Sequence, residues 1–285
     1  MQKDAYTISD LSKKCITILK PVYDDAEAVS ITRILLEEAT GLSSIELKLN
    51  NNRFLTREEL LFLEESLARL KNNEPLQYIL GHTWFYGYKF NVRPGVLIPR
   101  RETEELVDWI LNTTGNNKEI LDIGTGSGCI AVSLKKNKPE SEVSAWDIST
   151  EALEIAKQNA QALDVVVNFS LQDVFSIKET NRNFDIIVSN PPYVLESEKV
   201  KIHNNVLKHE PAKALFVSDQ DSLVFYRKIA EIAFDSLNNG GLLFFEINEQ
   251  KGEEMKELLR SMGFVDVVLK NDLQGKPRMI RAAKG

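Results

Sequence analysis

The chain has 285 residues, of which 43% are hydrophobic and 27% charged, and its formal net charge is −7 at pH 7. This composition is that of a globular protein and excludes wholesale disorder, and the acidic balance gives no support to a duplex-wrapping protein. The length predicts two domains. Cys15 and Cys129 are far apart without metal-ligand spacing, and the sequence has no signal peptide or membrane-length apolar run. We therefore expect a cytoplasmic protein without disulfides.

The first eighty residues predict a small helical bundle. The segment ISDLSKKCITILK places its apolar residues on one stripe of a helix, and DDAEAVSITRILLEEATG does the same before it ends at Gly41. Thr56 and Glu59 have the spacing of a capping box at the start of a third helix. For residues 1–80 the residues alone leave two interpretations open, a packing or oligomerisation module and a partner-binding domain.

Residues 81–98 predict a β-hairpin connector. Two short runs of aromatic and β-branched residues, WFYGYKF and GVLIP, carry turn signals at Gly87 and at Pro94-Gly95. The following segment, RRETEELVDWILNTTG, has a helical period and closes on Gly115.

Strand-like and helical segments alternate through residues 99–285. The strand-like runs are EILDI, EVSAWDI, VVVNFS, FDIIVS and GLLFFEI, with helical patterns between most of them. This order predicts an α/β fold with a doubly wound, seven-stranded, mostly parallel sheet. The last two runs, FVDVVLK and PRMIRAA, are joined by a short loop, so we expect a hairpin that makes one edge strand antiparallel.

A glycine-rich loop, in LDIGTGSGCIAV, follows the first of these strands and opens a helix. Gly124, Gly126 and Gly128 leave no side chains between the backbone and a ligand at the helix N-terminus, although such turns also serve purely structural ends. Asp147 ends the second strand, 23 residues after Gly124, where a carboxylate can accept both ribose hydroxyls of an adenosine ligand. Together, the glycine loop and Asp147 favour a nucleoside-binding site.

The loop favours S-adenosylmethionine over NAD. It lacks the Lys-Ser/Thr pair of a phosphate site, and its G-x-G-x-G spacing lacks the third glycine of a dinucleotide site. Asp122 and the glycine amides suit the amino and carboxylate groups of a methionine-like tail. Asp173, at the end of the third strand, is either an acceptor for the adenine amino group or a helix N-cap.

The fourth strand ends in the turn Asn190-Pro191-Pro192-Tyr193. Proline fixes φ and lacks an N–H, so this turn is stiff and its acceptors have few local donors. We expect the fourth strand beside the first, which places the turn next to the glycine loop. There Asn190 Oδ1 and the Pro191 carbonyl can each accept one hydrogen of a planar NH₂ group while Tyr193 stacks on it. The alternative is a turn that only stiffens a loop.

These stretches resemble the class I S-adenosylmethionine-dependent N-methyltransferases with an Asn-Pro-Pro-Tyr motif, which act on adenine amines or on protein glutamine. Three more stretches, PLQYILGHTWFYGYKFNV, VLIPRRETEELVDWIL and DLQGKPRMI, are similar to the peptide-chain release factor glutamine N5-methyltransferases. The resemblance implies a Rossmann-like methyltransferase domain over residues 99–285 and a helical substrate-docking domain over residues 1–80. The implied reaction methylates the glutamine of the Gly-Gly-Gln loop of class I release factors, which tunes translation termination and leaves S-adenosylhomocysteine.

The resemblance also assigns residues. It implies that the glutamine amide is bound and methylated at Asn190, Pro191, Pro192 and Tyr193. The implied methyl-donor contacts are Gly124, Thr125, Gly126, Ser127, Gly128, Asp147, Asp173 and Val174, and we expect Asp122 and Asn190 to contact the donor as well. The three histidines share no ligand spacing with cysteines or acids, so we expect no metal site. We expect a monomer that binds neither membranes nor nucleic acid directly.

Three rival functions remain open at this point: a glutamine methyltransferase of a ribosomal protein, an adenine N6-methyltransferase of nucleic acid, and a donor-binding module without turnover. The chain departs from the family pattern at Arg101, where proline is usual, and in EINEQKG over residues 246–252. These departures concern the shape of the substrate groove. Residues 194–220 are long for a loop and predict a lid or substrate clamp.

Overall fold

The structure is a computed structural model that describes residues 6–177, 180, 183–201 and 203–285. The chain forms two compact units. One unit comprises Met1–Gly81 with His203–His209, and the other comprises His82–Ile202 with Glu210–Gly285. No helix in the described ranges is long and apolar enough to cross a membrane.

The first unit is helical. Its helices are α1 (Ile8–Leu19), α2 (Asp25–Thr40), α3 (Ser44–Leu49), α4 (Arg57–Lys71), α5 (Leu76–Leu80) and a later helix, Asn204–His209. The end of α2 at Gly41, with φ of 69°, and the capping box of Thr56 and Glu59 at the start of α4 are confirmed. The apolar stripe of α1 lies in a core that α2 and α4 also line. These helices therefore pack because each presents one apolar face.

The second unit begins with a hairpin of β1 (His82–Phe85) and β2 (Tyr88–Asn91), which turns at Gly87. The predicted turn at Gly87 is confirmed, because it divides the run WFYGYKF between the two strands, whereas the second run, GVLIP, forms no strand. Residues 92–100, all of them described, contain no strand. The backbone N–H of Ile98 donates instead to the Glu210 carboxylate at 3.1 Å, so a side chain satisfies it in place of a ladder partner.

The remainder of this unit alternates strands and helices. The elements up to the Asn-Pro-Pro-Tyr turn are α6 (Arg101–Thr113), β3 (Glu119–Ile123), α7 (Cys129–Asn137), β4 (Glu142–Asp147), α8 (Thr150–Ala162), β5 (Asn168–Leu171) and β6 (Phe184–Ser189). After the turn come β7 (Val194–Leu195), a 3₁₀ helix (Glu196–Lys201), α9 (Asn204–His209, in the helical unit), α10 (Ala212–Leu215), β8 (Phe216–Val217), α11 (Val224–Ser236), β9 (Leu237–Glu246), α12 (Gly252–Ser261), β10 (Phe264–Asn271) and β11 (Pro277–Lys284).

The central sheet has seven strands in the order β10-β11-β9-β6-β3-β4-β5. All neighbouring pairs from β9 to β5 are parallel, which confirms the doubly wound, mostly parallel fold. Successive residues of β3 alternate between two cores, Ile120 in one and Leu121 in the other. Helices therefore cover both faces of the sheet, as a parallel sheet requires.

The C-terminal hairpin differs from its predicted place. The antiparallel strand is β11, and it lies between β10 and β9 rather than at the edge. Met279, Ile280 and Ala282 of β11 are fully buried, whereas Val265 and Val268 of β10 are exposed. The strand with the buried face therefore occupies the inner position, and the more exposed strand forms the edge.

The strand order places the two motifs together. The fourth strand of the predicted alternation, β6, pairs in parallel with β3, and Ser189 lies opposite Ile123. Gly124 and Asn190 are the next residues along each strand, so both emerge at the same carboxyl edge. Connections leave β3 and β6 in opposite directions along the sheet, and such a reversal point is where doubly wound sheets bind ligands.

Candidate active site

The loop from β3 to α7 is built around three glycines with positive φ, 76° at Gly124, 54° at Gly126 and 81° at Gly128. A Cβ added at Gly124 or Gly126 would meet no atom within 4 Å, so open space lies beside these two residues. A Cβ at Gly128 would lie 3.0 Å from the Cβ of Ala156 on α8. The first two glycines therefore border an open cradle, and the third permits α7 and α8 to pack closely.

Asp147 ties this loop to the end of β4. Its Oδ2 accepts from the N–H of Gly126 at 2.8 Å, and its Oδ1 accepts from the N–H of Ser149 at 2.9 Å. Burial raises the pKa of the Asp147 carboxyl. The apolar residue that follows, Ile148, is 63% exposed and offers a surface for a flat ring. Our sequence analysis missed Ile148, although its place directly after a strand-ending acid is a readable signal.

Asp122, the last residue but one of β3, has no exposed surface. Its Oδ2 accepts from Thr125 Oγ1 at 2.6 Å and from the N–H of Ala131 at 3.3 Å. Its Oδ1 has no hydrogen-bond partner within the described ranges. The side chains of Thr125 and Ser127 are buried as well, so they build the loop. A buried acceptor without a donor beside an open cradle fits the cationic amino group of a methionine-like ligand.

Asp122 makes the stability of the ligand-free protein depend on pH. Burial raises the pKa of its carboxyl from 3.8 to about 7, and the charge of Asp147 adds to the effect. The folded state therefore binds this proton more tightly than the unfolded state. Between those two values the folded state holds more protons, so stability falls as the pH rises through the interval.

Between about pH 5 and about pH 7.5 we expect the melting temperature of the wild type to fall by several degrees more than that of Asp122→Asn. A loss of about 1 kcal/mol in the free energy of unfolding lowers the melting temperature by about 2–4 °C in a domain of this size. Thermal melts across this range without ligand measure both slopes. Asparagine keeps one acceptor for Thr125 and carries no charge, so the slopes are compared and not the absolute values. Parallel slopes would show that Asp122 is ionised at the same pH in the folded and unfolded states.

Asp173 and Val174 follow β5 in a turn. Asp173 Oδ1 accepts from the N–H of Phe175 at 3.0 Å, and Oδ2 accepts from Ser176 Oγ at 3.1 Å. The segment is a turn and not a helix, so the helix N-cap interpretation is wrong in that detail. The role of Asp173 and Val174 towards adenine remains a prediction.

The Asn-Pro-Pro-Tyr turn borders a pocket at the end of β6. The residues that line it are Leu97, Arg100, Asn190, Pro191, Tyr193, Val194, Ala214, Leu215 and Glu246. Leucine, alanine, valine and proline supply apolar walls, and Asn190, Arg100 and Glu246 supply polar groups. Pro192 of the motif is not part of this lining. The pocket therefore suits a side chain with an aliphatic stem and a polar end.

Two acceptors at the turn are free. Asn190 Nδ2 donates to Thr103 Oγ1 at 3.3 Å, whereas Asn190 Oδ1 and the Pro191 carbonyl accept no hydrogen bond from the described part of the chain. Tyr193 donates from its hydroxyl to Glu246 Oε1 at 3.0 Å, and burial raises the pKa of this phenol, so it stays protonated. The site thus presents oxygen acceptors to a ligand that brings N–H donors.

An ion pair supports one wall of this pocket. Arg100 donates to Glu210 Oε1 at 2.6 Å, and the side chain of Glu210 is almost fully buried. Glu210 also accepts from the N–H of Ile98 and so joins two distant segments. Such partners offset the desolvation cost of a buried carboxylate. Sequence analysis missed this pair, because nothing local indicates which segments meet.

Other contributors were missed as well. Glu246 ends β9, the strand beside β6, so the reasoning applied to Asp147 would have identified it. Asn248, in the departure EINEQKG, donates to the Tyr193 carbonyl at 3.2 Å and so holds the turn from behind. Arg101 is the first residue of α6, where it lacks the fixed φ that proline would supply.

Comparison with known proteins agrees with this geometry. Residues 101–216 match the model of the methyltransferase small domain, and residues 10–81 match that of the PrmC N-terminal domain. The chain is 46% identical over 279 residues to the release factor glutamine methyltransferase of Flavobacterium psychrophilum, covering 96% of this chain and 98% of that protein. It is 45% identical over 265 residues to that of Bacteroides thetaiotaomicron, with 93% and 95% coverage.

Solved structures agree in fold. A methyltransferase from Pyrococcus furiosus has a TM-score of 0.53 at 20% identity, over 78% of this chain and 99% of that one. A T. thermophilus 16S rRNA N2 G1207 methyltransferase, solved with AdoMet and guanosine, has a TM-score of 0.52 at 19% identity. The match covers 72% of this chain and 50% of that one. Fold and glycine loop together define a class I methyltransferase. Within that class, the chain belongs to the release factor glutamine methyltransferase family.

Proposed function

We propose that the protein transfers the methyl group of S-adenosylmethionine to the side-chain nitrogen of the glutamine in the Gly-Gly-Gln loop of class I peptide-chain release factors. One observation carries this proposal. The pocket at the end of β6 presents two free acceptors, Asn190 Oδ1 and the Pro191 carbonyl, beside the glycine loop at the end of β3. Membership of the release factor family supports the choice of glutamine over other amides.

The residues at the turn explain how an amide nitrogen reacts. Asn190 Oδ1 and the Pro191 carbonyl each accept one hydrogen of the glutamine NH₂, which holds the nitrogen in line with the S–CH₃ bond. Bound S-adenosylmethionine supplies an electrophilic methyl group. The N–C bond forms as the S–C bond breaks, and the positive charge moves from sulfur to nitrogen. The alkylated nitrogen is strongly acidic, so it releases one proton to water without a strong base, and S-adenosylhomocysteine remains.

The donor side uses residues of the glycine loop and its neighbours. In this proposal Gly124 and Gly126 leave space for the ligand, Asp147 accepts the ribose hydroxyls, and the unpartnered Oδ1 of Asp122 accepts from the amino group. We further propose that the protein acts as a cytoplasmic monomer. Val194, Ala214 and Leu215 line the pocket, which supports residues 194–220 as a substrate clamp. Protection of this segment from proteolysis by donor plus substrate peptide tests the clamp.

We also propose that the helical unit docks the release factor. Ile45 and Leu49 lie one turn apart on α3 and are 71% and 78% exposed, so they form an apolar surface. Leu49→Asp should raise KM for the intact factor by about tenfold or more, since a buried charge costs several kcal/mol at an interface, and leave kcat/KM for a short Gly-Gly-Gln peptide nearly unchanged.

The matched control is Val166→Asp, which charges an equally exposed apolar residue, 76% accessible, in the other unit. It should change neither parameter. Steady-state methylation with both substrates gives the comparison. Equal KM for the factor in wild type and Leu49→Asp would remove α3 from the docking surface.

The function is tested by transfer of labelled methyl from S-adenosylmethionine. A purified class I release factor, the same factor with its loop glutamine changed to alanine, a ribosomal protein fraction and adenine-containing DNA are offered side by side. Label on the wild-type factor alone is the expected result. Label on the ribosomal fraction or the DNA would assign the enzyme to one of the rival substrates. Donor binding without label on any of them would support the module without turnover.

A further inference from the structure

We propose that Thr103 and Glu246 are positioning residues, which together set the direction of the Asn190 carboxamide so that its oxygen, and not its nitrogen, faces the substrate. The inference rests on the proposed glutamine chemistry and adds two residues to it. Neither residue contacts the methyl-donor loop through any hydrogen bond of the described chain. They act through the side chain that binds the amide.

Glu246 is the anchor of the arrangement. It is 1% exposed at the end of β9. Its Oε2 accepts from Thr103 Oγ1 at 2.6 Å, and its Oε1 accepts from the Tyr193 hydroxyl at 3.0 Å. Its backbone carbonyl accepts from the Tyr226 hydroxyl at 3.1 Å, which fixes the main chain at this point. A buried carboxylate requires donors on both oxygens, so both hydroxyls are committed to it.

The direction of the Asn190 amide follows from the single hydroxyl hydrogen of Thr103. A hydroxyl has one hydrogen, and that of Thr103 is donated to Glu246. Towards Asn190 the hydroxyl can therefore only accept. The atom of Asn190 that lies 3.3 Å from Thr103 Oγ1 must then be a donor, which is Nδ2. Oδ1 is consequently turned away from Thr103, and it is the atom left free for a substrate N–H.

Tyr193 is fixed in the same way. Its only hydroxyl hydrogen is donated to Glu246, and its carbonyl accepts from Asn248 Nδ2 at 3.2 Å. The ring is thus held at both ends as a wall of the pocket. Its hydroxyl is not available to donate to the substrate carbonyl, where a donor would draw electron density away from the reacting nitrogen. Glu246 therefore orients two residues of the motif at once.

The decisive test compares Thr103→Val with Thr103→Ser. Valine keeps the shape of threonine and removes the hydroxyl, whereas serine keeps the hydroxyl and removes a methyl group. We expect Thr103→Val to lower kcat for a Gly-Gly-Gln substrate by about 10²-fold, because a misdirected binding group costs this much, with S-adenosylmethionine affinity preserved. Thr103→Ser should recover most of that loss. A role in packing alone would produce the opposite order, with valine active and serine impaired, and would overturn the proposal.

Thr113→Val is the matched control. Thr113 lies on the same helix, α6, and its hydroxyl donates only to the Trp109 carbonyl one turn earlier. This variant should keep the wild-type kcat and KM.

Glu246→Gln is a second test. Its Nε2 can donate to Thr103 Oγ1, which frees the threonine hydrogen to point at Asn190 and permits the carboxamide to turn over. We expect its kcat to fall at least tenfold, and a wild-type kcat would contradict the proposal.

A measurement without turnover separates this inference from the proposed function. The side-chain NH₂ signals of Asn190 in a ¹⁵N-labelled protein are assigned by their loss in Asn190→Ala. We expect them to shift and to exchange faster with solvent in Thr103→Val but not in Thr113→Val. Unchanged signals in Thr103→Val would refute the positioning role even if the enzyme methylates glutamine. Shifted signals in an enzyme that does not methylate glutamine would uphold the geometry and reject the substrate.

Discussion

Asn190→Ala should lower kcat for a Gly-Gly-Gln substrate by at least about 10²-fold, which is the cost of losing one positioned polar group at a reacting centre. In the proposed reaction this side chain supplies one of the two acceptors for the amide nitrogen, and its Nδ2 donates to Thr103. Alanine leaves the Pro191 carbonyl as the single acceptor, so the nitrogen is no longer held in line. Affinity for S-adenosylmethionine, measured by calorimetry, should be nearly unchanged.

Asn112→Ala provides the control for this variant. Asn112 lies on the exposed side of α6 and donates to Asp108, away from the pocket. It should have wild-type kinetics, and melting temperatures of both variants monitor folding. An equal loss of turnover and of donor affinity in Asn190→Ala would mean that Asn190 belongs to the donor site rather than to the amide site.

Asp147→Ala should have its largest effect on the other substrate. We expect the Kd for S-adenosylmethionine to rise about 10- to 100-fold, since a hydrogen bond to a charged group is worth about 1.5–3 kcal/mol. The carboxylate also holds the N–H of Gly126, so its removal loosens the loop that forms the cradle. At saturating donor, kcat should recover more completely than in Asn190→Ala.

Asp25→Ala is the matched control, because it removes a carboxylate that lies outside the proposed donor site. The Asp25 side chain is 80% exposed in a surface ion pair with Lys20, so its removal should leave the Kd unchanged. Calorimetric titration of S-adenosylmethionine into each protein measures the Kd. A wild-type Kd in Asp147→Ala would contradict the ribose assignment and would transfer that role to another residue of the same sheet edge.

Local pattern determined much of the fold. The strands Glu119–Ile123 and Phe184–Ser189 begin and end where their apolar runs do, because both are buried on two faces and are bounded by turn residues. The capping box at Thr56 and the terminal Gly41 fixed helix ends for the same local reason. Strand β5 is shorter than its run, since it begins at Asn168 and residues 165–167 form no strand in the described chain.

The pairing of strands that are distant in sequence could not be predicted from local pattern. Nothing within FVDVVLK or PRMIRAA states that β11 inserts between β10 and β9, because that choice depends on which strand buries more surface against the helices. The same holds for GVLIP, in which Val96 and Ile98 are buried without forming a strand. Its Ile98 N–H is satisfied by Glu210, which lies 112 residues away in the chain.

The sequence by itself determined the class of fold and the two motifs that meet at the sheet edge, the glycine loop with Asp147 and the Asn190 turn. Each is readable because its chemistry is confined to a few consecutive residues at the end of a strand. Only the tertiary structure decided which side chains form the hydrogen-bond network around Asn190. Thr103 and Glu246 are separated by 143 residues, and Thr103 and Asn190 by 87. A hydrogen-bond network assembled across such distances exists only when the sheet has formed, because each side chain obtains its partners from another strand or helix.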